Sequence, residues 1–232
     1  MREHDLVRVR GLLLSQGFEL HPDLRMDCLS DYQRSGRDWV YHSPNGLIID
    51  VSSVILPDYF SVSIPMDEVW ARSTFVTLEG VDVPVLSDPD LLLFLILHGS
   101  KHRWSRARWV RNITMLVDDM TEEDVAEAGA YARRLGVSKA FQEAMALRHQ
   151  SDDARNHDVG VFEEFVGHLR MLDRGSMRLR YLFQLAFVPT YGDWIWVRLP
   201  RGMRWMYPLL RPLRLALKFS ILAGRKALAV FR

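Results

Sequence analysis

The most constraining feature of the chain is an apolar run that passes directly into a basic one, LLLFLILHGSKHRWSRARW at residues 91–109. Seven consecutive apolar residues, Leu91 to Leu97, belong in a protein core. Continued helical spacing would place the polar residues that follow on one face, namely His98, Lys101, His102, Ser105 and Arg106. The sequence therefore predicts one rigid helix that is anchored at its start and presents several cationic side chains at its end.

Two interpretations of this basic face stay open. Convergent cations and imidazoles are typical of a site that binds an anion. Alternatively, the Lys and Arg stems lie over apolar neighbours on an ordinary surface, and Trp104 and Trp109 belong to the core. A zinc site is the weaker hypothesis, because His98 and His102 are four residues apart but Gly99 stands where the H-E-x-x-H pattern requires Glu.

Length and composition predict an ordinary globular protein with a sizeable core, since the chain has 232 residues of which 48% are hydrophobic. The single cysteine, Cys28, excludes an intramolecular disulfide framework.

The first residues lack the basic segment and apolar stretch of a secretory signal, which predicts a cytoplasmic protein. No apolar run approaches the ~20 residues that a membrane-spanning helix needs.

Charge is distributed unevenly along the chain, although the formal net charge is only +1. The chain has 30 Lys or Arg residues and 29 acids. Residues 174–232 contain twelve of the basic residues and one acid, so the rest of the chain contains eighteen basic residues and twenty-eight acids. The single acid in the basic part is Asp193. Nucleic acid is not an expected partner, because the larger part is acidic and no recognised nucleic-acid-binding motif is present.

A basic amphipathic helix is predicted after Pro212. Its two sides are Arg214, Lys218, Arg225 and Arg232 on one, and Leu213, Leu217, Ile221, Leu228 and Phe231 on the other. Such a helix either packs its apolar side on its own domain or attaches the protein to an acidic protein partner or an anionic membrane surface. The sequence leaves these alternatives open.

The predicted elements are a helix, two β-hairpins with a short helix between them, and then helices only. The first helix ends at Gly17. Asn45-Gly46 provides the turn between strands at 39–42 and 47–55, and Glu79-Gly80 provides the turn between strands at 74–78 and 81–85. Ser87-Asp88-Pro89-Asp90 starts the helical part. The order predicts an α+β fold, with an α+β domain at residues 1–86 and a helical domain at residues 87–232.

An acid interrupts the second predicted strand. Leu47, Ile49 and Val51 share one face of this strand, and Ile48, Asp50 and Ser52 share the other. Aspartate is disfavoured inside sheets, and an unpaired carboxylate is costly to bury. The pattern therefore predicts that Asp50 has a cationic or metal partner.

Several blocks together resemble the uncharacterised nucleotidyltransferase family of the polymerase-beta-like superfamily. The blocks are REHDLVRVRGLLLSQGFEL, LIIDV, VPVLSDPDLLLFLILHGSKHRWSRARWV, FVPTYGDWIWVRLP and RPLRL. Each block is mostly an apolar framework with a few polar positions, but their order covers nearly the whole chain. The resemblance implies a partial nucleotidyltransferase-like mixed sheet with helices, followed by an all-helical domain.

The resemblance also implies a metal site. Such families hold a Gly-Ser turn, a strand with Asp-x-Asp, a helix and a strand with a third carboxylate, and these carboxylates bind the Mg²⁺ ions that bridge the triphosphate. Asp50 matches the third carboxylate, which implies a catalytic, metal-binding role. The Asp-x-Asp strand does not occur in this sequence, which implies either a chain start placed too late or a degenerate, truncated domain.

Two functions follow as expectations. In the first, the protein transfers a nucleotidyl group from an NTP to an unknown hydroxyl acceptor, and the phosphate or acceptor is bound by His98, Lys101, His102, Arg103 and Arg106. In the second, the same basic face belongs to a noncatalytic module that binds a nucleotide or a partner. The Asp50 strand favours the first function, and the two missing metal ligands favour the second.

Overall fold

The computed structural model describes residues 2–21, 39–149 and 158–230. Within these ranges, the side chains at positions 3, 21, 191, 201, 219 and 221–230 are outside the description. Cys28 lies outside the described residues, as do the side chains of Ile221, Arg225, Leu228, Phe231 and Arg232. The predictions made from these residues stay predictions.

The described residues contain two small antiparallel sheets. Their strands are β1 (Glu19–His21), β2 (Trp39–His42), β3 (Ile48–Val51), β4 (Thr74–Leu78) and β5 (Val81–Val85). The first sheet has the order β1-β2-β3, and β4 pairs with β5. Gly46 and Gly80 have φ angles of 82° and 80°, so the glycines supply the positive φ that each hairpin turn requires. The bounds of β2, β4 and β5 are those predicted from the sequence.

Helices make up most of the remaining described chain. They are α1 (Leu6–Ser15), α2 (Met66–Ala71), α3 (Asp88–Lys101), α4 (Ala107–Asp119), α5 (Glu122–Leu135), α6 (Ser138–Leu147), α7 (Val161–Met171), α8 (Gly175–Phe187), α9 (Tyr191–Trp196) and α10 (Tyr207–Val230). The predicted α+β class is confirmed. Among the helices of the described ranges, none combines the length and the apolar character needed to cross a membrane.

The chain divides into two compact units. The first unit is discontinuous and consists of Met1–Ser53 and Leu179–Arg232, whereas the second unit is the continuous segment Val54–Arg178. These bounds differ from the predicted division after residue 86, because the β4–β5 hairpin groups with the helices that follow it. The predicted domain division stays a prediction.

The core of the first unit lies between α1 and one face of the three-stranded sheet. Its buried residues are Leu6 from α1, Trp39 and Tyr41 from β2, and Val51 from β3. Partly buried side chains surround them, namely Val9, Leu13, Phe18, Leu20, Ile49 and Trp194. Burial raises the pKa of the Tyr41 hydroxyl. Because Trp194 belongs to α9, the C-terminal segment contributes directly to this core.

The core of the second unit is organised around α3, which packs against α4, α5, α6 and α7. Leu92, Leu93, Ile96 and Leu97 are all fully buried there. The apolar run that opens the segment at residues 91–109 therefore lies in the core, as predicted. Its burial anchors the helix from which the basic residues emerge.

The final helix differs from its predicted form at its start. α10 begins at Tyr207 rather than after Pro212, because Pro208 is favourable in the first turn of a helix. Of its two predicted sides, Leu213 and Leu217 are exposed on one, while on the other Lys218 is exposed and Arg214 is turned inward against a buried acid. The sequence left open whether the apolar side packs on its own domain, and in the described side chains these leucines face outward.

Candidate functional site

Asp50 lies on the face of the first sheet opposite the core. Along β3, Val51 is buried while Asp50 and Ile48 are exposed. Across the sheet, Asp50 is paired with Val40 of β2 and Ile48 with His42. Asp50 is therefore not buried, because its carboxylate points away from the α1 side of the sheet. Its cationic or metal partner stays a prediction.

Asp50 offers one carboxylate to a metal ion. Over residues 2–21, 39–149 and 158–230, no group of three or more His, Cys, Asp or Glu side chains is arranged to hold a metal. The donor set that surrounds Asp50 in the described part of the chain therefore does not fit the three-carboxylate site implied by the resemblance.

The basic segment after Leu97 does not continue as one helix. α3 ends at Lys101, the Arg103 N–H donates to the Ser100 carbonyl at 3.1 Å, and the Trp104 N–H donates to the Gly99 carbonyl at 2.9 Å. These two bonds form a Schellman helix end. The predicted single helical face through Ser105 and Arg106 is therefore wrong.

The cause of this helix end is the packing of Trp104 on Gly99. Trp104 is 4% exposed, and a Cβ built on Gly99 would lie 2.1 Å from Cζ3 of the indole. Arg103 and Trp104 both have a φ of 54°, a left-handed conformation that costs roughly 1–2 kcal/mol for a residue with a side chain. Burial of the large indole offsets this cost.

The helix end brings His98 and His102 together with Trp109 of α4. The two imidazole centroids are 4.9 Å apart, and the His102 ring stacks on Trp109 at 5.2 Å with an interplanar angle of 24°. His98 meets Trp109 edge-on at 5.5 Å, and the guanidinium of Arg108 lies 6.0 Å from the Trp109 ring. This half-buried cluster, the His98–His102–Trp109 stack, combines flat π surfaces with hydrogen-bonding nitrogens.

Arg103 points away from solvent. Its side chain is 16% exposed, and its guanidinium lies 3.5 Å from the Glu143 carboxylate. It passes directly over Gly167 of α7, where an added Cβ would lie 1.8 Å from Arg103 Cδ. Packing between α6 and α7 explains this position, so the structure places Arg103 inside the helical unit and apart from the exposed cations.

Lys101 and Arg106 remain closer to solvent. Arg106 precedes α4, and its guanidinium is 3.9 Å from the fully exposed Asp158, a contact that contributes little in water. The Lys101 side chain is half-buried, and its carbonyl lies 2.8 Å from Nε2 of His168. Because a carbonyl only accepts, Nε2 of His168 carries the proton, and burial lowers the pKa of this imidazole.

The family model of an uncharacterised nucleotidyltransferase matches residues 1–151. The chain belongs to this family. Searches of the curated proteins and of the solved structures gave no match. The matched part of this nucleotidyltransferase-like protein contains Asp50, α3 and the His98–His102–Trp109 stack. Nucleotidyltransferases typically use divalent metal ions.

In this member of the family, an ion pair with a buried carboxylate holds the start of α3. Asp90 is 1% exposed and accepts two hydrogen bonds from Arg72, at 3.0 and 2.8 Å, and one from the Ser87 hydroxyl at 2.9 Å. Hydrogen bonding to this carboxylate raises the pKa of Arg72. The sequence indicated only a favourable acid at a helix start, since nothing local identifies a partner that is 18 residues away.

Proposed function

We propose that this protein transfers a nucleotidyl group from an NTP to a hydroxyl acceptor. In this reaction the acceptor oxygen bonds to the α-phosphorus, the bond from that phosphorus to the bridging oxygen breaks, and pyrophosphate leaves while the hydroxyl proton is lost. The observation that supports the proposal is the family match, which includes both the Asp50 strand and the basic segment.

Asp50 is the carboxylate that the resemblance assigns to Mg²⁺, although the donors around it in the described residues do not complete a metal site. Its exposure on the sheet supports a role in binding a ligand that reaches it from solvent.

Lys101 and Arg106 are the best candidates for phosphate contacts, since both are cationic and neither is buried. His98 and His102 would contact the nucleotide or the acceptor beside Trp109. Arg103 would act indirectly, because its guanidinium is packed between α7 and Glu143.

The test is transfer of label from α-³²P NTPs in the presence of Mg²⁺, with the 232-residue chain and with a longer form that includes any in-frame residues encoded upstream. We expect Asp50→Asn to lower transfer by about a hundredfold or more, as loss of a transition-state interaction does. Asp67→Asn is the matched control, because Asp67 is another exposed carboxylate. Equal activity of the Asp50 variant and the control would contradict the proposal.

A noncatalytic nucleotide-binding module is the second candidate, and the His98–His102–Trp109 stack favours it. An aromatic platform beside exposed cations can hold a base and its phosphates without any metal. Mg²⁺-independent NTP binding without transfer, weakened by Lys101→Met or Arg106→Met but not by Arg170→Met, would support this alternative. Mg²⁺-dependent turnover would exclude it.

A further inference from the structure

The C-terminal helix α10 is turned with its leucines outward. Leu209, Leu213 and Leu217 are 63%, 54% and 48% exposed. Residues four apart lie on the same side of a helix. These three side chains, called here the leucine stripe, therefore form a continuous apolar strip on the described part of α10.

A buried ion cluster fixes this orientation. Arg211 is 5% exposed and contacts Asp193, which is 2% exposed, and Arg214 Nε lies 2.6 Å from the other oxygen of that carboxylate. Arg211 also donates to the Leu185 carbonyl at 2.7 Å and to the Thr190 hydroxyl at 2.8 Å. The side of α10 that faces its own unit is thus the arginine side.

Rotation of α10 to bury the leucine stripe would break this cluster. It would leave Asp193 without its cations inside the protein, and an uncompensated buried charge is strongly destabilising. The glycine at 192 adds a packing constraint, because a Cβ there would lie 2.4 Å from an Arg214 nitrogen. The outward position of the leucines is therefore built into the fold of this unit.

Further large apolar side chains are exposed on neighbouring segments of the same unit. Trp205, four residues before Leu209, is 68% exposed, and Trp196 at the end of α9 is 43% exposed. On α8, Phe183 is 60% exposed. Single exposed apolar residues are common on soluble proteins, but three leucines at four-residue spacing on one helix side form a strip that marks an interaction surface.

The exposed charge of this segment is entirely positive in the described side chains. Residues 179–232 contain ten Lys or Arg and one acid, and that acid is the buried Asp193. Arg180, Arg198 and Lys218 are exposed. A second copy of the chain would bring like charge against this surface, so the charge pattern argues against self-association and for an anionic partner.

We propose that the leucine stripe, together with the exposed cations of the same segment, binds the surface of an anionic membrane. Leucine and tryptophan side chains enter the boundary between headgroups and acyl chains, and Arg and Lys pair with lipid phosphates. This combination of outward Leu and Trp with purely positive charge fits a lipid surface better than an acidic protein, which offers charge without a deep apolar layer. The site is independent of the proposed transferase chemistry.

Vesicle flotation of the full chain tests the proposal. We expect the protein to float with vesicles of phosphatidylcholine mixed with phosphatidylglycerol at low salt, and to bind phosphatidylcholine alone far more weakly. The variant Leu209→Ser/Leu213→Ser/Leu217→Ser should bind the anionic vesicles at least about tenfold more weakly, because each lost leucine removes apolar burial. Val7→Ser/Leu12→Ser/Leu14→Ser is the matched control, since these three leucine or valine side chains on α1 are also exposed.

Further measurements distinguish a lipid surface from the two other possible binding partners, a second copy of the chain and an acidic protein. Binding should raise and blue-shift tryptophan fluorescence, and Trp205→Phe should remove most of that change. Absence of flotation, or equal flotation of the stripe variant and the control, would overturn the proposal. So would a dimer in light scattering that the stripe variant loses, or retention on immobilised polyglutamate without vesicle binding, since these results assign the surface to a second copy or to an acidic protein.

Discussion

At the scale of single residues, Asp50 and Asp90 show that the structural role of an aspartate depends on its contacts in the fold rather than on its neighbours in the sequence. Asp50 and Asp90 both stand beside apolar residues, yet Asp50 is exposed while Asp90 is buried against Arg72. The local pattern predicted a partner for Asp50 and gave Asp90 only a place in the helix-start sequence Ser87-Asp88-Pro89-Asp90. Neither pattern indicated how exposed the two carboxylates are, because burial depends on which face of each element the rest of the chain covers.

Asp173 carries a testable structural role. It caps α6 from outside that helix, since its carboxylate accepts from the Ser138 hydroxyl and N–H, both at 2.7 Å, and from the Lys139 N–H at 3.1 Å. Burial alone would raise the pKa of Asp173, but these hydrogen bonds outweigh it and the pKa is lowered. We expect Asp173→Ala to lower the free energy of unfolding by about 1–3 kcal/mol at neutral pH.

The effect of Asp173 should depend on pH in one direction. Because its folded pKa is below its unfolded value, its stabilisation is present above the unfolded pKa of about 3.9 and is lost as pH falls through the folded pKa. Urea unfolding at several pH values measures this, with Glu127→Gln as the control for an exposed acid. A difference between wild type and Asp173→Ala that stays constant down to strongly acidic pH would contradict the assignment.

At the scale of elements, the sequence predicts the start of α3 but not its end. The start of α3 follows from Ser87, Asp88 and Pro89, which act locally. Its end at Lys101 depends on Trp104 folding back over Gly99, and no residue pattern at positions 98–106 reveals that contact. α9 was also missed, although Thr190 and Asp193 form a capping box whose T-x-x-D spacing could have indicated it.

Two glycines inside helices make a matched test of this helix end. Gly99→Ala places a methyl group against the buried Trp104 ring, and we expect it to lower the free energy of unfolding by about 1–3 kcal/mol. Gly11→Ala in α1 meets no atom within 4 Å, so it should raise that free energy by about 0.5–1 kcal/mol. Chemical denaturation measures both, and a stabilising Gly99→Ala would show that Trp104 does not pack there.

At the scale of the whole molecule, the family match and the compact units do not coincide. The match ends at residue 151, whereas the second unit continues through Arg178. The continuation includes α7, whose His168 contacts the Lys101 carbonyl, and Asp173, which caps α6. The family match identifies the part of the chain that resembles other family members. It does not show which later helices complete the core of the second unit.

Two fragments test this difference. We expect residues 54–178 to unfold cooperatively when expressed alone, because the segment is one compact unit with its own core. Residues 54–151 should lack cooperative unfolding, since they expose the surface of α3 and α6 that α7 covers. Circular dichroism during heating distinguishes them, and equal cooperativity of the two fragments would contradict the unit bounds.

The discontinuity of the first unit also sets an order of events during translation. Residues 54–178 leave the ribosome as a complete unit, and such units can fold during synthesis. Helix α1 and its sheet are synthesised first, but Trp194 forms part of their core. This core is therefore complete only after the segment that contains Trp194 has been synthesised. We therefore expect the core of the first unit to be completed after that of the second unit in the nascent chain.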